Sequence, residues 1–446
     1  MHQYKKALVL GAGRSGRAAE ALLRTDGTPA VCICEETTPD YRYEDLHFTP
    51  EIAVVSPGFS LDHPWIQDLI AREIPLLSEL EFGWSRRHCP VIAVTGSNGK
   101  STVVKWIVDA LAQAGQRAIP CGNYGLPVSA AVMLAEIPDW LVIEVSSFQL
   151  ETIEQFRPDI GVLLNVLPNH LDRHGDMETY RAFKLRLFEN MQRSDTAILP
   201  FDFFQGLEKS GEKVPGLGTM GRNVPESWGP DAGRSAVTKT FGTEEGADYR
   251  FAGGHVGEID LTETCFDNKV LGAAGAAVAA VCEACGLSPS AVEASARAFQ
   301  PLPHRMETVA EINGVRFIDD SKATNLAGMC AALRMVSGPV HLIAGGRAKE
   351  TDLSFAKDLL VKQVSRLYLI GEASEAMQAA WADSVECLPC ETLEQAVCAV
   401  WESAEPGDTV LLSPACTSFD QFRSFNERGE LFAREVCRLK SECVDA

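Results

Sequence analysis

The segment Thr95–Thr102 constrains the fold of this chain more than any other part of its sequence. Its residues, Thr-Gly-Ser-Asn-Gly-Lys-Ser-Thr, follow the apolar run Val91–Val94 and lead into Val103–Leu111, which has the apolar face of a helix. In a strand–loop–helix unit of this kind, the glycines let backbone N–H groups approach phosphate oxygens, and the helix N-terminus favours the anion. The loop is a residue pair shorter than the common phosphate loop. It predicts an ATP-binding α/β domain in which Lys100 reaches the β- and γ-phosphates and either Ser101 or Thr102 places a hydroxyl on Mg²⁺.

Length and charge limit the remaining possibilities. A chain of 446 residues suits about three domains. Its formal net charge of −21 argues against nucleic-acid or anionic-membrane partners, because both require a basic surface. The first residues lack the apolar segment of a signal peptide, no apolar run is long enough to span a membrane, and the 14 cysteines are scattered. We therefore expect a cytoplasmic protein with reduced cysteines.

Strand and helix signals divide the chain into three parts. Over residues 1–86, short apolar strands alternate with helices, which is typical of a parallel sheet covered by helices. Residues 87–299 contain the phosphate loop; within them the stretch 205–260 is compatible with either short antiparallel strands or surface loops. Pro301–Pro303 marks a linker, and residues 300–446 alternate again, ending in a long helix from about Asp420. We predict an α/β fold with a Rossmann-like N-terminal domain, a central P-loop ATPase-like domain and a C-terminal Rossmann-like domain.

Four further features lie before the middle of the chain. Gly11–Gly16 follows the first strand with the spacing Gly-x-Gly-x-x-Gly, and Glu35 closes the second strand, as in dinucleotide-binding sites. Glu144 ends a strand near the phosphate loop, where a carboxylate can hold Mg²⁺ directly or through water. The loop Asn165–Gly175 carries two histidines and an aspartate, which suits a metal or phosphate site. Lys184 lies on a basic helix, and its sequence context alone predicts a solvated side chain.

Two more polar segments follow apolar strands in the last part of the chain. They are Asp319–Asn325 and Ser413–Asp420. Open α/β sheets bind ligands at the carboxyl ends of their strands, so both segments are candidate ligand loops. A nucleophilic role for Cys416 has little support, since no partner histidine stands out in the sequence.

Together these motifs resemble the Mur ligase family of peptidoglycan synthesis over nearly the whole chain. The short phosphate loop is typical of that family. The branch that adds D-glutamate fits best, because it combines the Gly-x-Gly-x-x-Gly domain with three further signatures. These match Glu144–Leu150, Asp320–Asn325 and Ser413–Gly429. The Asp-Asn-Pro-Arg signature of the branch that adds diaminopimelate or lysine is absent.

The resemblance implies a two-step reaction. The alanyl carboxylate of UDP-N-acetylmuramoyl-L-alanine attacks ATP and becomes an acyl phosphate, which the amine of D-glutamate then displaces. Both steps depend on positioning and on neutralising crowded negative charge. The expected cofactors are ATP and Mg²⁺, with Mn²⁺ as an alternative ion, and a monomer is expected.

The resemblance also implies residue roles. ATP is expected at Gly96, Ser97, Asn98, Gly99, Lys100, Ser101, Thr102, Asn268, Arg305 and Asp320. The UDP-substrate is expected at Ser15, Glu35, Ser56, Gly58, Asn123, Ser147 and Gln149. D-Glutamate is expected at Thr324, Lys349, Ser418, Phe419 and Phe425. Metal ions are expected at Ser101, Glu144, His170 and a carbamylated Lys184. Catalytic roles fall to Lys100, Glu144, His170, Lys184 and Lys322.

Some positions depart from the family pattern. Asn169 replaces the aspartate that usually precedes the metal-binding histidine, Leu271 replaces an asparagine near the adenine, and Arg347 stands where aspartate is common.

The residues alone leave two other functions open. One is another amide ligase of the superfamily, such as a folylpolyglutamate synthase. The other is an NAD-dependent oxidoreductase, which would use Gly11–Gly16 and Glu35 but leave Lys100 unexplained.

Overall fold

The computed structural model describes residues 4–33, 43, 46–217, 236–350 and 352–444. Glu35, predicted to bind the UDP-substrate, lies outside the described residues. The chain divides into two units. One consists of Met1–Val166 with Gly175–Phe299, and the other of Leu167–His174 with Gln300–Ala446. The finer division into three domains stays a prediction.

The elements follow the alternation of apolar strands and helices in the sequence. The strands are β1 Ala7–Leu10, β2 Ala30–Ile33, β3 Ile52–Val55, β4 Leu76–Ser78, β5 Val91–Thr95, β6 Ala118–Gly122, β7 Trp140–Glu144, β8 Ile160–Leu163, β9 Thr196–Pro200, β10 Val237–Gly242, β11 Tyr249–Ala252, β12 His255–Val256, β13 Ile259–Asp260, β14 Glu307–Ile312, β15 Val315–Asp319, β16 Val340–Gly345, β17 Val364–Ile370, β18 Cys387–Pro389 and β19 Thr409–Leu412. The α-helices are α1 Arg14–Thr25, α2 Pro64–Ala71, α3 Glu79–Trp84, α4 Lys100–Gln113, α5 Val128–Ala131, α6 Ser147–Leu150, α7 Leu171–His174, α8 Met177–Leu185, α9 Phe201–Ser210, α10 Lys269–Ala284, α11 Pro289–Ala298, α12 Leu326–Met335, α13 Lys357–Gln363, α14 Ser374–Trp381, α15 Leu393–Trp401 and α16 Phe425–Val444.

The first unit contains two sheets. The smaller has the order β2-β1-β3-β4 and is parallel throughout. The larger has the order β13-β12-β11-β10-β9-β8-β5-β7-β6, with parallel pairing around β5. Strands β1, β3 and β5 are buried along their whole length, as expected for parallel strands covered on both faces.

The stretch 205–260, for which the sequence allowed either short antiparallel strands or surface loops, extends the larger sheet. Strands β11, β12 and β13 pair antiparallel at its edge, so short antiparallel strands form where the sequence left two possibilities open. Residues 218–235 in this region lie outside the described part of the chain.

Trp106 anchors the helix that follows the phosphate loop. It lies on α4, is fully buried, and stacks on Phe266 with ring centroids 3.6 Å apart. Its indole Nε1–H donates to Ser295 Oγ of α11 at 2.8 Å. The polar end of the indole is therefore satisfied inside the core, and α4 is held firmly behind the loop.

The second unit has a six-stranded sheet of order β14-β15-β19-β16-β17-β18, parallel except for β14. The sequence predicted that its last helix begins near Asp420, but the helix begins at Phe425. The intervening residues form turns in which the N–H groups of Gln421 and Phe422 donate to Ser418 O, and Asp420 Oδ2 accepts from Glu372 N at 3.0 Å.

The α/β class predicted from the sequence is confirmed. None of the described helices is long and apolar enough to cross a membrane.

Glu79 is a buried carboxylate at the start of α3. Its side chain is 2% exposed and accepts a hydrogen bond from Ser129 N at 2.6 Å. Burial raises the pKa of Glu79 from an ordinary 4.5 to about 7, and the bond from Ser129 opposes that rise only in part. The folded chain therefore binds a proton at Glu79 more tightly than the unfolded chain does.

We expect Glu79→Gln to stabilise the protein in a pH-dependent way. With the folded pKa raised, the stability that protonation confers is complete below pH 4.5 and is lost as the pH rises through about 7. A glutamine accepts the same hydrogen bond without charge, so its advantage should grow to a few kcal/mol, at most about 3, at pH 8. Denaturant unfolding of both proteins at pH 5 and pH 8 measures this. An advantage that is equal at the two pH values would contradict the assignment.

Candidate active site

The phosphate loop connects the buried strand β5 to α4. Gly99 adopts φ +83° at the N-cap of α4, a left-handed conformation that favours glycine. Asn165, at the end of the neighbouring β8, fixes the first half of the loop, because its Oδ1 accepts from Ser97 N at 2.9 Å and Asn98 N at 3.0 Å. These two bonds fix the backbone of Ser97 and Asn98 against the end of β8. Asn165 begins the loop Asn165–Gly175 that the sequence marked as a metal or phosphate site, but it was given no role of its own, although its place after a buried strand beside β5 is a usable signal.

Lys100 folds back over this loop. Its ammonium Nζ donates to Gly96 O at 2.7 Å and to Ser97 O at 3.1 Å. The positive charge thus lies beside the N-terminus of α4, which itself favours anions. This placement suits a lysine that contacts the phosphates of a nucleotide.

Ser101 and Glu144 meet at the carboxyl ends of β5 and β7. Ser101 Oγ donates to Glu144 Oε2 at 2.5 Å, and Asn123 Nδ2 donates to Glu144 Oε1 at 2.6 Å. Ser101 and Glu144 are both buried. Hydroxyl and carboxylate oxygens are ligands that Mg²⁺ prefers, and Mn²⁺ accepts similar donors. The donor set therefore fits the predicted ion.

Lys184 is buried, contrary to the solvated position that its sequence context alone suggested. Its side chain is 1% exposed, its Nζ donates to Gly96 O at 2.8 Å, and it lies 4.6 Å from the centre of the Tyr180 ring. Burial lowers the pKa of Lys184 well below its usual 10.5; the charge of Lys100 lowers it further, and Glu144 opposes the shift. The environment thus favours the neutral amine, which is the nucleophilic form of lysine.

The remaining residues predicted to bind ATP are spread over both units. Thr102 lies in the first turn of α4, and Asn268 caps α10 by accepting from the N–H groups of Val270 and Leu271. Arg305 and Asp320 belong to the second unit. Leu271, one of the departures from the family pattern, therefore contributes a backbone N–H to the cap.

Several of the predicted UDP-substrate residues that the structure describes lie near the glycine turn of the small sheet or on helix α6. A Cβ on Gly16 would lie 1.6 Å from Gly11 O, so this turn requires glycine. Ser56 and Gln149 line one cleft in this unit. Ser15 lies in the first turn of α1, Gly58 is exposed after β3, Ser147 opens α6, and Asn123 contacts Glu144.

His170 opens the short helix α7. Its backbone has φ +57°, and its carbonyl accepts hydrogen bonds from the N–H groups of Arg173 and His174. The segment Leu167–His174 groups with the second unit. The neighbouring Asn169 is buried, and its Oδ1 has no hydrogen-bond partner among the described residues.

In the second unit, Asp320 follows β15. Ser413 Oγ donates to Asp320 Oδ2 at 2.8 Å and Met306 N donates to Oδ1 at 3.3 Å. Burial raises the pKa of Asp320 to about 7, against the hydrogen bond from Ser413 and the charge of Arg305. A protonated Asp320 can donate a hydrogen bond, so this buried group is able to change its role near neutral pH.

The predicted D-glutamate residues follow three adjacent parallel strands of this sheet. Thr324 follows β15, Lys349 follows β16, and Ser418 and Phe419 follow β19; Ser418 is buried, whereas Phe419 is 64% exposed. Phe425 begins α16. The ammonium of Lys322 lies 3.8 Å from the centre of the Phe425 ring, a cation–π contact that holds the lysine at this edge.

Comparison with known proteins identifies the family. Residues 94–243 match the Mur ligase middle domain, and residues 304–416 match the Mur ligase glutamate ligase domain. The chain is 35% identical to the UDP-N-acetylmuramoylalanine–D-glutamate ligase of Koribacter versatilis (strain Ellin345), over 98% of both chains. It is 36% identical to the protein of the same name from Desulfitobacterium hafniense (strain Y51), over 99% of both.

Solved structures agree on the fold. The MurF ligase of Thermotoga maritima in complex with ADP matches with a TM-score of 0.59 and 17% identity, over 97% of this chain and 95% of that one. E. coli FolC in complex with DHPP and ADP matches with a TM-score of 0.56 and 17% identity, over 80% and 92%. The resemblance inferred from the motifs is thus confirmed: the chain belongs to the Mur ligase family, in the branch of UDP-N-acetylmuramoylalanine–D-glutamate ligases.

Proposed function

We propose that this protein uses ATP to join D-glutamate to UDP-N-acetylmuramoyl-L-alanine, a step in the synthesis of peptidoglycan precursors. We choose this reaction because the chain belongs to the Mur ligase family. The observation that best supports it in this chain is the convergence of Lys100 and Lys184 on one carbonyl of the phosphate loop, in the same unit as the Ser101–Glu144 pair. An oxidoreductase would need none of these groups, and the similarity to FolC extends to the fold alone.

The first chemical step is the transfer of the γ-phosphoryl group of ATP, and we assign it to the phosphate loop. The helix N-terminus and Lys100 hold the triphosphate and neutralise the charge that moves during transfer. Ser101, Glu144, His170 and carbamylated Lys184 are the proposed ligands of divalent cations, which supply further charge neutralisation when bound. The alanyl carboxylate attacks the γ-phosphorus, its P–O bond to ADP breaks, and ADP leaves as the acyl phosphate forms.

The second unit carries the amino-acid substrate. Thr324, Lys349, Ser418, Phe419 and Phe425 are the proposed D-glutamate residues, and Asn268, Arg305 and Asp320 the remaining ATP contacts. Lys322 is the proposed catalytic residue of this unit and supplies positive charge for the second step. The neutral amine attacks the acyl carbon, the C–O bond to phosphate breaks, and the amide forms as the amine loses a proton and inorganic phosphate leaves.

We also propose that the amine of Lys184 is converted to a carbamate. A neutral, buried amine attacks CO₂; an N–C bond forms, a proton leaves, and the product is a carbamate. This converts a cation that would repel a metal ion into an anionic oxygen donor, which Mg²⁺ prefers. The added negative charge compensates for Asn169, which replaces the usual aspartate beside His170.

We expect ATP-dependent phosphate release only when both other substrates are present. A release assay should compare D-glutamate with L-glutamate and with lysine, each with and without UDP-N-acetylmuramoyl-L-alanine. Lys100→Ala serves as the inactive reference, because it removes the charge beside the phosphates. Equal rates with L-glutamate or lysine would contradict the proposed specificity, and turnover with a folate substrate in place of the UDP-sugar would favour the alternative ligase.

We expect Lys184→Ala to lose most of its activity and to regain part of it with added formate or acetate. These small carboxylates can fill the cavity and replace the missing oxygen donor. Stripping CO₂ from the buffer should slow the wild-type enzyme reversibly. Lys209→Ala, which removes an exposed lysine on α9, is the matched control and should be unaffected by either treatment. Full activity of Lys184→Ala would contradict the carbamate.

A further inference from the structure

Arg428 is a buried guanidinium in the first turns of α16. It is 1% exposed. Its Nε donates to Ser321 Oγ at 2.9 Å, and its Nη2 donates to Ser321 O at 2.8 Å and to Cys416 O at 3.1 Å. The guanidinium is rigid and planar, so these bonds fix the relative positions of the two segments that carry the acceptors.

The segments in contact with Arg428 follow three neighbouring parallel strands. Ser321 follows β15 and Cys416 follows β19, whereas Gly346 follows β16. A Cβ on Gly346 would lie 3.3 Å from Arg428 Nη1 and 2.3 Å from Thr417 O, so the guanidinium packs closely against this third strand end. One side chain thus connects the ends of β15, β19 and β16.

The charge of Arg428 is not matched by a carboxylate. Among the described residues, Arg428 makes no ion pair within 4.0 Å, and its buried Nη1 has no hydrogen-bond partner. Burial lowers the pKa of Arg428 to about 10, and nearby Cys416, Asp420, Asp319 and Asp320 oppose that shift. The group therefore stays positive at neutral pH. A buried cation without a direct ion pair is costly even when it is hydrogen-bonded, which suggests that it has a functional reason.

We propose that Arg428 is a positioning residue for the amino-acid substrate. It acts through Ser321 and Cys416, which adjoin Lys322 and lie close to Ser418 in the chain, and it adds a fixed positive potential where a dicarboxylate binds. The inference rests on the proposed function, because it takes the ends of β15, β16 and β19 to be the D-glutamate site. The buried guanidinium holds the proposed binding segments in place before the substrate arrives, which reduces the ordering required on binding.

The substitution Arg428→Lys tests this directly, because lysine keeps the charge but cannot span the acceptors with a planar fork. We expect the KM for D-glutamate to rise roughly tenfold or more, since two or three charge-assisted hydrogen bonds are lost or misdirected. The KM values for ATP and the UDP-substrate should change by less than about twofold. Arg434→Lys on the same helix is the matched control, because the Arg434 side chain is 72% exposed.

Chemical rescue separates positioning from simple destabilisation. In Arg428→Ala, added guanidinium ion should lower the KM for D-glutamate again, and methylammonium at the same concentration should not. If neither Arg428 variant folds, Ser321→Ala removes the hydroxyl acceptor of Nε and should raise the same KM severalfold.

The inference is overturned if Arg428→Lys, or Ser321→Ala in its place, keeps the wild-type KM for D-glutamate, or if only kcat falls. Failure of the proposed function would look different: the wild-type enzyme itself would show no turnover that depends on D-glutamate.

Discussion

The carbonyl oxygen of Gly96 accepts hydrogen bonds from two lysines, and the candidate active site is organised around it. Lys100 approaches from the loop itself at 2.7 Å, and Lys184 from helix α8 at 2.8 Å. Burial removes Lys184 from water, which disfavours its charged form most, and the nearby ammonium of Lys100 repels that charge further. The arrangement therefore favours loss of the proton from Lys184, and the carbonyl that orients the phosphate loop also fixes the amine in place.

The second unit also contains a buried cation that donates to neutral acceptors, but this cation keeps its charge. There, a buried Arg428 donates to carbonyl and hydroxyl groups of loops that follow adjacent parallel strands. Both cations bind neutral acceptors at the carboxyl edge of a sheet, where open α/β folds place ligands. Lysine can lose its proton and become a nucleophile, whereas arginine stays charged at any physiological pH. Lys184 is thereby suited to modification, and Arg428 to holding a permanent charge.

How far the sequence alone leads depends on whether a signal is local. The phosphate loop and Glu144 could be predicted, because each is marked by its own strand and its neighbours in the chain. The burial of Lys184 could not be derived from its helix, whose many charges suggest a solvated face; its bond to Gly96 spans 88 residues. Asn165 and Arg428 lie in segments that the sequence singled out, but their individual roles could not be predicted, because their contacts depend on which strands become neighbours. The start of α16 shifted to Phe425 because turns around Ser418 compete with the helix.

The central claim is that burial makes Lys184 reactive toward CO₂, and carbon-13 NMR tests it most directly. The enzyme would be equilibrated with ¹³C-labelled bicarbonate and compared with Lys184→Ala under the same conditions. We predict one carbamate carbonyl signal in the wild-type protein that is absent from the variant and disappears when the labelled CO₂ is removed. A wild-type spectrum identical to that of Lys184→Ala would show that Lys184 remains an unmodified amine and would contradict the claim.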